Sequence, residues 1–122
     1  QGMPESGFLP IPKKLLDKGI RDIVRISDAR MSGTAFGTII LHVSPESYIG
    51  GPLSLVETGD LIAVSIKNKS LDLLVDEETL STRKKKSNFT YEISDYKRGY
   101  GFIYNNHILQ AEEGCDFDFL KA

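Results

Sequence analysis

The sequence contains a single cysteine, Cys115, among 122 residues, and it contains no tryptophan. One thiol cannot form an internal disulfide. It also cannot by itself hold a structural zinc ion or an iron–sulfur cluster, because each of these needs several ligands. Any such metal must therefore take most of its ligands from elsewhere, and we interpret Cys115 as a packed or free thiol.

An excess of positive charge is lacking too, since 15 basic residues stand against 17 acidic ones and the net charge is -2. Such a chain has no field to gather phosphate backbones, so nucleic acid is not expected as a partner. The longest apolar run, Gly37 to Val43, is far shorter than the roughly 20 residues that span a bilayer, so no membrane partner is expected. The first fifteen residues lack the layout of a signal peptide, and this favours a cytoplasmic location.

The length and the hydrophobic content of 40% indicate one packed domain whose apolar strands form a core without help. The patterns predict a mixed α/β fold with two single strands, a hairpin and two longer helices. The predicted strands are Ile23 to Ile26 and Ile39 to Val43, the hairpin joins Leu61–Ile66 to Leu71–Val75, and the helices are Glu77 to Lys86 and Tyr100 to Glu113.

Capping signals mark several helix ends. Ser44 before Pro45 and Glu46 predicts a helix with Ser44 as the N-cap, and Gly50 with Gly51 would stop it. Asp76 is a second predicted N-cap, and the basic residues Arg83 to Lys86 then lie at the end of its helix, where they complement the macrodipole. We interpret that basic run as a solvated helix end rather than a phosphate-binding patch.

Four features carry possible chemistry. Ser32 opens a turn of small residues, Ser32 to Gly37, where backbone N–H groups can converge on an anion and favour an alkoxide, although most such serines only form turns. Asp28 and Arg30 flank this turn, and we interpret them as a structural pair. His42 is interpreted as a core histidine, and Glu5 as an isolated carboxylate in an extended arm, Gln1 to Pro12.

Several separated segments resemble the C-terminal signature of the dihydroxy-acid and sugar-acid dehydratases. They cover almost the whole chain in the same order as in that family. The segments are Gly2 to Glu5, Ile26 to Thr34, His42 to Glu46, Gly50 to Leu53, and the hairpin region from Gly59 to Val75.

The resemblance implies a two-part protein. Residues 1–20 would be an arm and short helix leading from an N-terminal cluster-binding domain, and residues 21–122 a swivelling β/β/α domain with a barrel-like mixed sheet flanked by helices. The N-terminal domain would hold most ligands of an iron–sulfur cluster, of the 2Fe–2S type, and of Mg²⁺. The implied partners are that domain, a small-molecule acid and further copies in a homo-oligomer.

The resemblance also assigns roles to three residues. Ser32 would be the catalytic alkoxide that takes the proton from C2 of the substrate, Glu5 a magnesium ligand, and Thr34 a substrate-binding residue. The isolated chain, which lacks the other ligands, is expected to be folded but inactive, with no cofactor bound.

The branch of the family is indicated by Met31, Thr34 and the tail Gly114 to Leu120, which resemble the enzymes that act on aldonic acids such as arabinonate or xylonate. This implies a hydro-lyase that dehydrates a sugar acid to a 2-keto-3-deoxy acid. Two alternatives stay open: a dihydroxy-acid dehydratase of branched-chain amino-acid synthesis, and a non-catalytic domain of the same fold.

Overall fold

A computed structural model of the chain describes residues 1–33, 36–87 and 96–120. These residues form a mixed α/β structure, as the sequence patterns predict. The helices are α1 (Lys13–Leu16), α2 (Glu77–Lys86) and α3 (Gly99–His107), and the strands are β1 (Arg25–Ile26), β2 (Ile39–Ile40), β3 (Ile62–Ser65) and β4 (Ser70–Leu73). Short 3-10 helices cover Ser47–Ile49, Pro52–Leu55, Ala111–Glu113 and Asp118–Leu120. None of the helices in the described part of the chain has the length and apolarity needed to cross a membrane.

The strands form two separate pairs. β1 and β2 are parallel, and β3 and β4 form the predicted antiparallel hairpin. The expected barrel is not confirmed, because no ladder joins the two pairs within the described residues. The first two strands are also shorter than predicted. His42 has a left-handed φ of 59°, which ends the extended run, and its side chain is exposed, so its interpretation as a core histidine is wrong.

Helix α2 has the predicted cap at its start and the predicted solvated basic residues at its end, with the exception of Arg83. The Asp76 carboxylate accepts a hydrogen bond of 2.8 Å from the backbone N–H of Thr79, and Lys84 to Lys86 are exposed. Arg83 turns back instead, and its guanidinium donates to both carboxylate oxygens of Asp60 at 2.5 and 2.9 Å. This hydrogen-bonded pair holds the pKa of Asp60 at about 2, and it ties α2 to the turn that precedes β3.

Two helix predictions are wrong. The helix expected to start at Ser44 is a single 3-10 turn that begins at Ser47, because Glu46 has an extended backbone with ψ of 149° and the Ser44 hydroxyl donates to the Glu112 carboxylate instead of capping a helix. The last helix ends at His107 rather than Glu113. Beyond it the chain is extended, and the backbone N–H of Leu109 donates to Asp116 at 2.8 Å.

The apolar side chains do not form the expected closed core. The two strand pairs face each other across a cavity of about 110 Å³, whose lining includes Ile26, Ile62 and Leu71, but none of the described apolar side chains is buried. The accessible surface is 9145 Å², whereas a monomeric protein of 13.6 kDa exposes about 6,600 Å². The expectation that these strands bury a core without help is therefore wrong for the described residues.

Candidate functional site

The first residues of the chain pair with the segment that leads to Ser32. The backbone N–H of Ser6 donates to Arg30 at 2.8 Å, and that of Arg30 donates to Pro4 at 3.0 Å, which makes a parallel bridge between Glu5 and Arg30. The backbone N–H of Ser32 then donates to Gly7 at 3.0 Å. The sequence of the arm shows neither helix nor strand periodicity, but its residues 4–7 are held against the segment of Arg30 and Ser32.

This pairing brings two of the three predicted site residues onto adjacent segments. Glu5 and Ser32 are both exposed, and neither side chain makes a hydrogen bond or ion pair with another residue of the described ranges. A proton acceptor and a metal ligand both need this accessibility. Thr34, the third, lies outside the described residues.

Asp28 and Arg30 do not form the expected structural pair. The Asp28 carboxylate accepts a hydrogen bond of 2.6 Å from the backbone N–H of Ser47. The Nε of Arg30 donates to the carbonyl of Met3 at 2.8 Å. Each side chain therefore connects the Ser32 turn to a different neighbouring segment, and the interpretation as a mutual pair is wrong.

Glu46 is a structural residue that the sequence patterns missed. Its side chain is buried, with 3% of its surface exposed. Its carboxylate accepts hydrogen bonds from the backbone N–H groups of Gly2 and Met3 at 2.8 and 2.9 Å, and from the side-chain amide of Gln110 at 2.9 Å. These partners lie 44, 43 and 64 residues away in the sequence. The residues next to Glu46 therefore give no sign of these contacts, and the local pattern is only that of an acid that follows a proline.

Helix α3 holds the start of the arm from the other side. The Tyr104 hydroxyl donates to the carbonyl of Gln1 at 3.0 Å, and the Gln1 side-chain amide donates to the carbonyl of Asn105 at 2.8 Å. Burial raises the pKa of Tyr104, so the hydroxyl keeps its proton and its role as a donor. A Cβ at Gly2 would overlap this hydroxyl and lie 2.7 Å from Ile108, which explains the glycine.

Within residues 1–33, 36–87 and 96–120, the donor set fits a single contributed metal ligand rather than a whole site. Among the described residues there is no group of three or more His, Cys, Asp or Glu side chains that could hold an ion. The exposed Glu5 carboxylate is a hard oxygen donor of the kind that Mg²⁺ prefers. Cys115 is half-buried, and burial, followed by the nearby Glu46 carboxylate, raises the pKa of its thiol.

Comparison with known proteins shows similarity to a family of dehydratases. The family profile described as the C-terminal region of the dihydroxy-acid and 6-phosphogluconate dehydratases matches residues 1–115. A 6-deoxy-6-sulfo-D-gluconate dehydratase from Pseudomonas putida is 49% identical over 99% of this chain and 21% of its own length. An L-arabinonate dehydratase from Rhizobium leguminosarum bv. trifolii is 46% identical over 99% of this chain and 21% of its own length.

A dihydroxy-acid dehydratase from Pyrococcus abyssi matches less of the chain. It is 44% identical over 80% of this chain and 17% of its own length. The chain thus spans about a fifth of the length of the curated relatives that it matches.

Proposed function

Because the chain belongs to the dihydroxy-acid and 6-phosphogluconate dehydratase family, of which it is a C-terminal region, we propose that it closes the active site of a sugar-acid dehydratase. In this proposal Ser32 is the catalytic base, Glu5 is a magnesium ligand and Thr34 contacts the substrate. The product would be a 2-keto-3-deoxy acid.

The observation that carries the proposal is the pairing of the arm with the Ser32 turn. Three backbone hydrogen bonds of 2.8 to 3.0 Å fix the segment of Glu5 beside that of Ser32. A dehydration of this kind removes the proton from C2 while the C3 hydroxyl leaves as water, and the resulting enol becomes the 2-keto-3-deoxy acid. A rigid pairing of the two segments keeps a base and a carboxylate at a constant separation, which favours such a step.

The role of each side chain follows from its chemistry. Ser32, deprotonated to its alkoxide, would accept the C2 proton and become a hydroxyl while the C3 hydroxyl leaves, and the backbone N–H groups of a small-residue turn help to stabilise the alkoxide. The Glu5 carboxylate would bind Mg²⁺ through an oxygen. Magnesium and an iron–sulfur cluster, held mainly by residues beyond this chain, would supply Lewis-acid assistance when bound.

The large exposed surface of the chain supports a partner that packs on it. The chain exposes much more area than a self-contained protein of its mass, and its relatives are about five times as long. We propose that the remainder of the polypeptide packs on this surface and that the domain swivels against it. The barrel-like closure of the sheet and a homo-oligomeric assembly belong to the same proposal.

A sugar acid is favoured over a branched dihydroxy acid as the substrate. The relatives named for sulfogluconate and arabinonate are 49% and 46% identical over 99% of the chain, whereas dihydroxy-acid dehydratases match 80% of it at 44% identity or 93% of it at 33% identity. The second candidate function is therefore dehydration of a branched dihydroxy acid. Turnover of L-arabinonate, D-xylonate and 2,3-dihydroxyisovalerate by the full-length protein separates the two.

The role of Ser32 is tested in the full-length enzyme with Ser32→Ala. Loss of a general base lowers kcat by about 10²- to 10⁴-fold, and the visible absorption of the iron–sulfur cluster should stay unchanged. Ser81→Ala, at an exposed position of α2, is the matched control and should keep full turnover. A Ser32→Ala enzyme with more than half of the original kcat would contradict the assignment.

A further inference from the structure

Glu46 is a charged group with an unusual environment. It is the one polar or charged residue that is buried among the described residues. None of the salt bridges in the described ranges involves its carboxylate. Three N–H groups satisfy the carboxylate instead. Buried charge is costly unless it is hydrogen-bonded, so an acid at this place needs the arm to be present.

The arm in turn adopts a conformation that the carboxylate favours. Gly2 and Met3 both have left-handed backbones, with φ of 79° and 54°. Their two N–H groups donate to the same carboxylate, that of Gly2 to one oxygen and that of Met3 to the other. A left-handed φ is unfavourable for methionine, which has a Cβ. The two hydrogen bonds to Glu46 offset that cost and select one conformation of the arm.

The segment of Glu46 is also connected to the Ser32 turn. The residue after it, Ser47, donates its backbone N–H to Asp28 at 2.6 Å, and Asp28 lies four residues before Ser32. On the other side of the arm, Arg30 bonds to Met3 and Pro4. The arm therefore lies between two anchors, Glu46 and Arg30, both linked to the chain that carries Ser32.

We propose that Glu46 is a positioning residue that fixes the Glu5 carboxylate relative to Ser32. It acts through the backbone of Gly2 and Met3, which lie three and two residues before Glu5, and Gln110 orients its carboxylate. The inference rests on the proposed function, because it takes Glu5 as the metal ligand of this chain.

The sharpest test is Glu46→Gln in the full-length protein. The variant keeps the size of the side chain but turns one acceptor oxygen into an N–H donor. Flipping the amide, or that of Gln110, cannot satisfy every group, because Gln110 already gives its oxygen to the backbone N–H of residue 46 and its nitrogen to the carboxylate. At least one N–H group loses its acceptor in every arrangement.

Two measurements report on this change besides activity. Binding of Mn²⁺, used as a probe for Mg²⁺, is followed by electron paramagnetic resonance, and hydrogen exchange is followed by mass spectrometry on peptides that cover the arm. We expect Glu46→Gln to weaken Mn²⁺ binding by about 10- to 100-fold, as loss of an indirect support of a metal ligand does. Exchange at Gly2 and Met3 should become faster.

Three further variants make the outcomes distinct. Glu5→Gln should weaken Mn²⁺ binding at least as much while leaving exchange in the arm unchanged. Glu77→Gln, an exposed acid in the first turn of α2, should change neither. Glu46→Asp keeps the charge but is one methylene too short to reach both N–H groups, so it should fall between Glu46→Gln and the original protein. It also covers the case in which Glu46→Gln does not fold.

The results distinguish the role of Glu5 as a metal ligand from the role of Glu46 as a positioning residue. Unchanged Mn²⁺ binding in Glu5→Gln would overturn the proposed role of Glu5. If Glu5→Gln weakens binding but Glu46→Gln and Glu46→Asp leave it unchanged, the positioning role is overturned and the role of Glu5 stands. Weaker binding in Glu46→Gln without faster exchange in the arm would also overturn it, because the effect would not pass through Gly2 and Met3.

Discussion

Gly51→Ala is expected to weaken the hydrogen bonds between Glu46 and the arm, because the added Cβ would displace the backbone of Pro45 and Glu46. Gly51 is buried and has an ordinary φ of -60°, so alanine is compatible with its backbone conformation. A Cβ there would overlap the carbonyl oxygen of Pro45 and lie 2.6 Å from its carbonyl carbon and 2.8 Å from the carbonyl oxygen of Glu46. These obstacles are backbone atoms, which cannot rotate away as a flexible side chain can.

The expected magnitude follows from what must move. Overpacking of this kind costs about 1 to 3 kcal/mol. Moving the Pro45–Glu46 backbone also weakens the two hydrogen bonds of 3.1 and 2.9 Å that Ile49 and Gly51 donate to the Glu46 carbonyl, each worth about 1 kcal/mol. Part of the overpacking is relieved when these bonds break, so we expect a loss of local stability of about 3 kcal/mol.

Hydrogen exchange in the full-length protein measures this loss locally, because each segment reports the free energy of its own opening. About 3 kcal/mol corresponds to exchange roughly 100-fold faster, and it should include both the Glu46–Gly51 segment and Gly2 with Met3. Gly59→Ala is the control. Nothing lies within 4 Å of its added Cβ, but its φ is 102°, so its cost should be about 1 kcal/mol and confined to its own turn. Equal exchange in Gly51→Ala and the original protein would refute the close approach of Gly51 to Pro45.

Two further predictions concern titrating groups. The pKa of Asp60 is about 2 in the folded chain against an ordinary value of 3.8, so its ion pair with Arg83 should stabilise the turn fully above pH 3.8 and lose that contribution as the pH falls toward 2. Hydrogen exchange at residues 55–61 between pH 5 and pH 2.5, corrected for intrinsic rates, should show this acid dependence, and Asp60→Asn should lack it; equal profiles would contradict the pairing. Because burial raises the pKa of the Cys115 thiol, iodoacetamide at pH 8 should modify it several-fold more slowly in the native protein than in the urea-unfolded chain. Equal rates, measured on the peptide that contains Cys115, would show that the thiol is freely accessible.

Short-range features of this protein are determined by the sequence itself. The cap at Asp76, the hairpin of β3 and β4, and the break at Gly50 each depend on residues within a few positions of one another. Their energies are local, so a pattern of residue types is enough to predict them. The family was also accessible from the sequence, because several motifs occur in the same order along the chain.

The positions of the strand and helix ends required the tertiary structure. Ser44 has the sequence of an N-cap, but its hydroxyl donates to the carboxylate of Glu112, 68 residues away, and the helix starts later. The stripe from Tyr100 has a helical period up to Glu113, yet the chain leaves the helix after His107 to pair with the segment of Phe117. In both places a distant hydrogen-bonding partner outweighs a local preference.

The candidate site shows the same division. The sequence alone determines that Ser32 lies among small residues and that Glu5 is an acid in an aperiodic segment. Only the tertiary structure decides that their segments are paired through Arg30, and that a buried Glu46 holds the arm in place. The physical reason is that a carboxylate has no periodic signature: its partners are backbone N–H groups, which every residue except proline possesses, and folding selects which of them it meets.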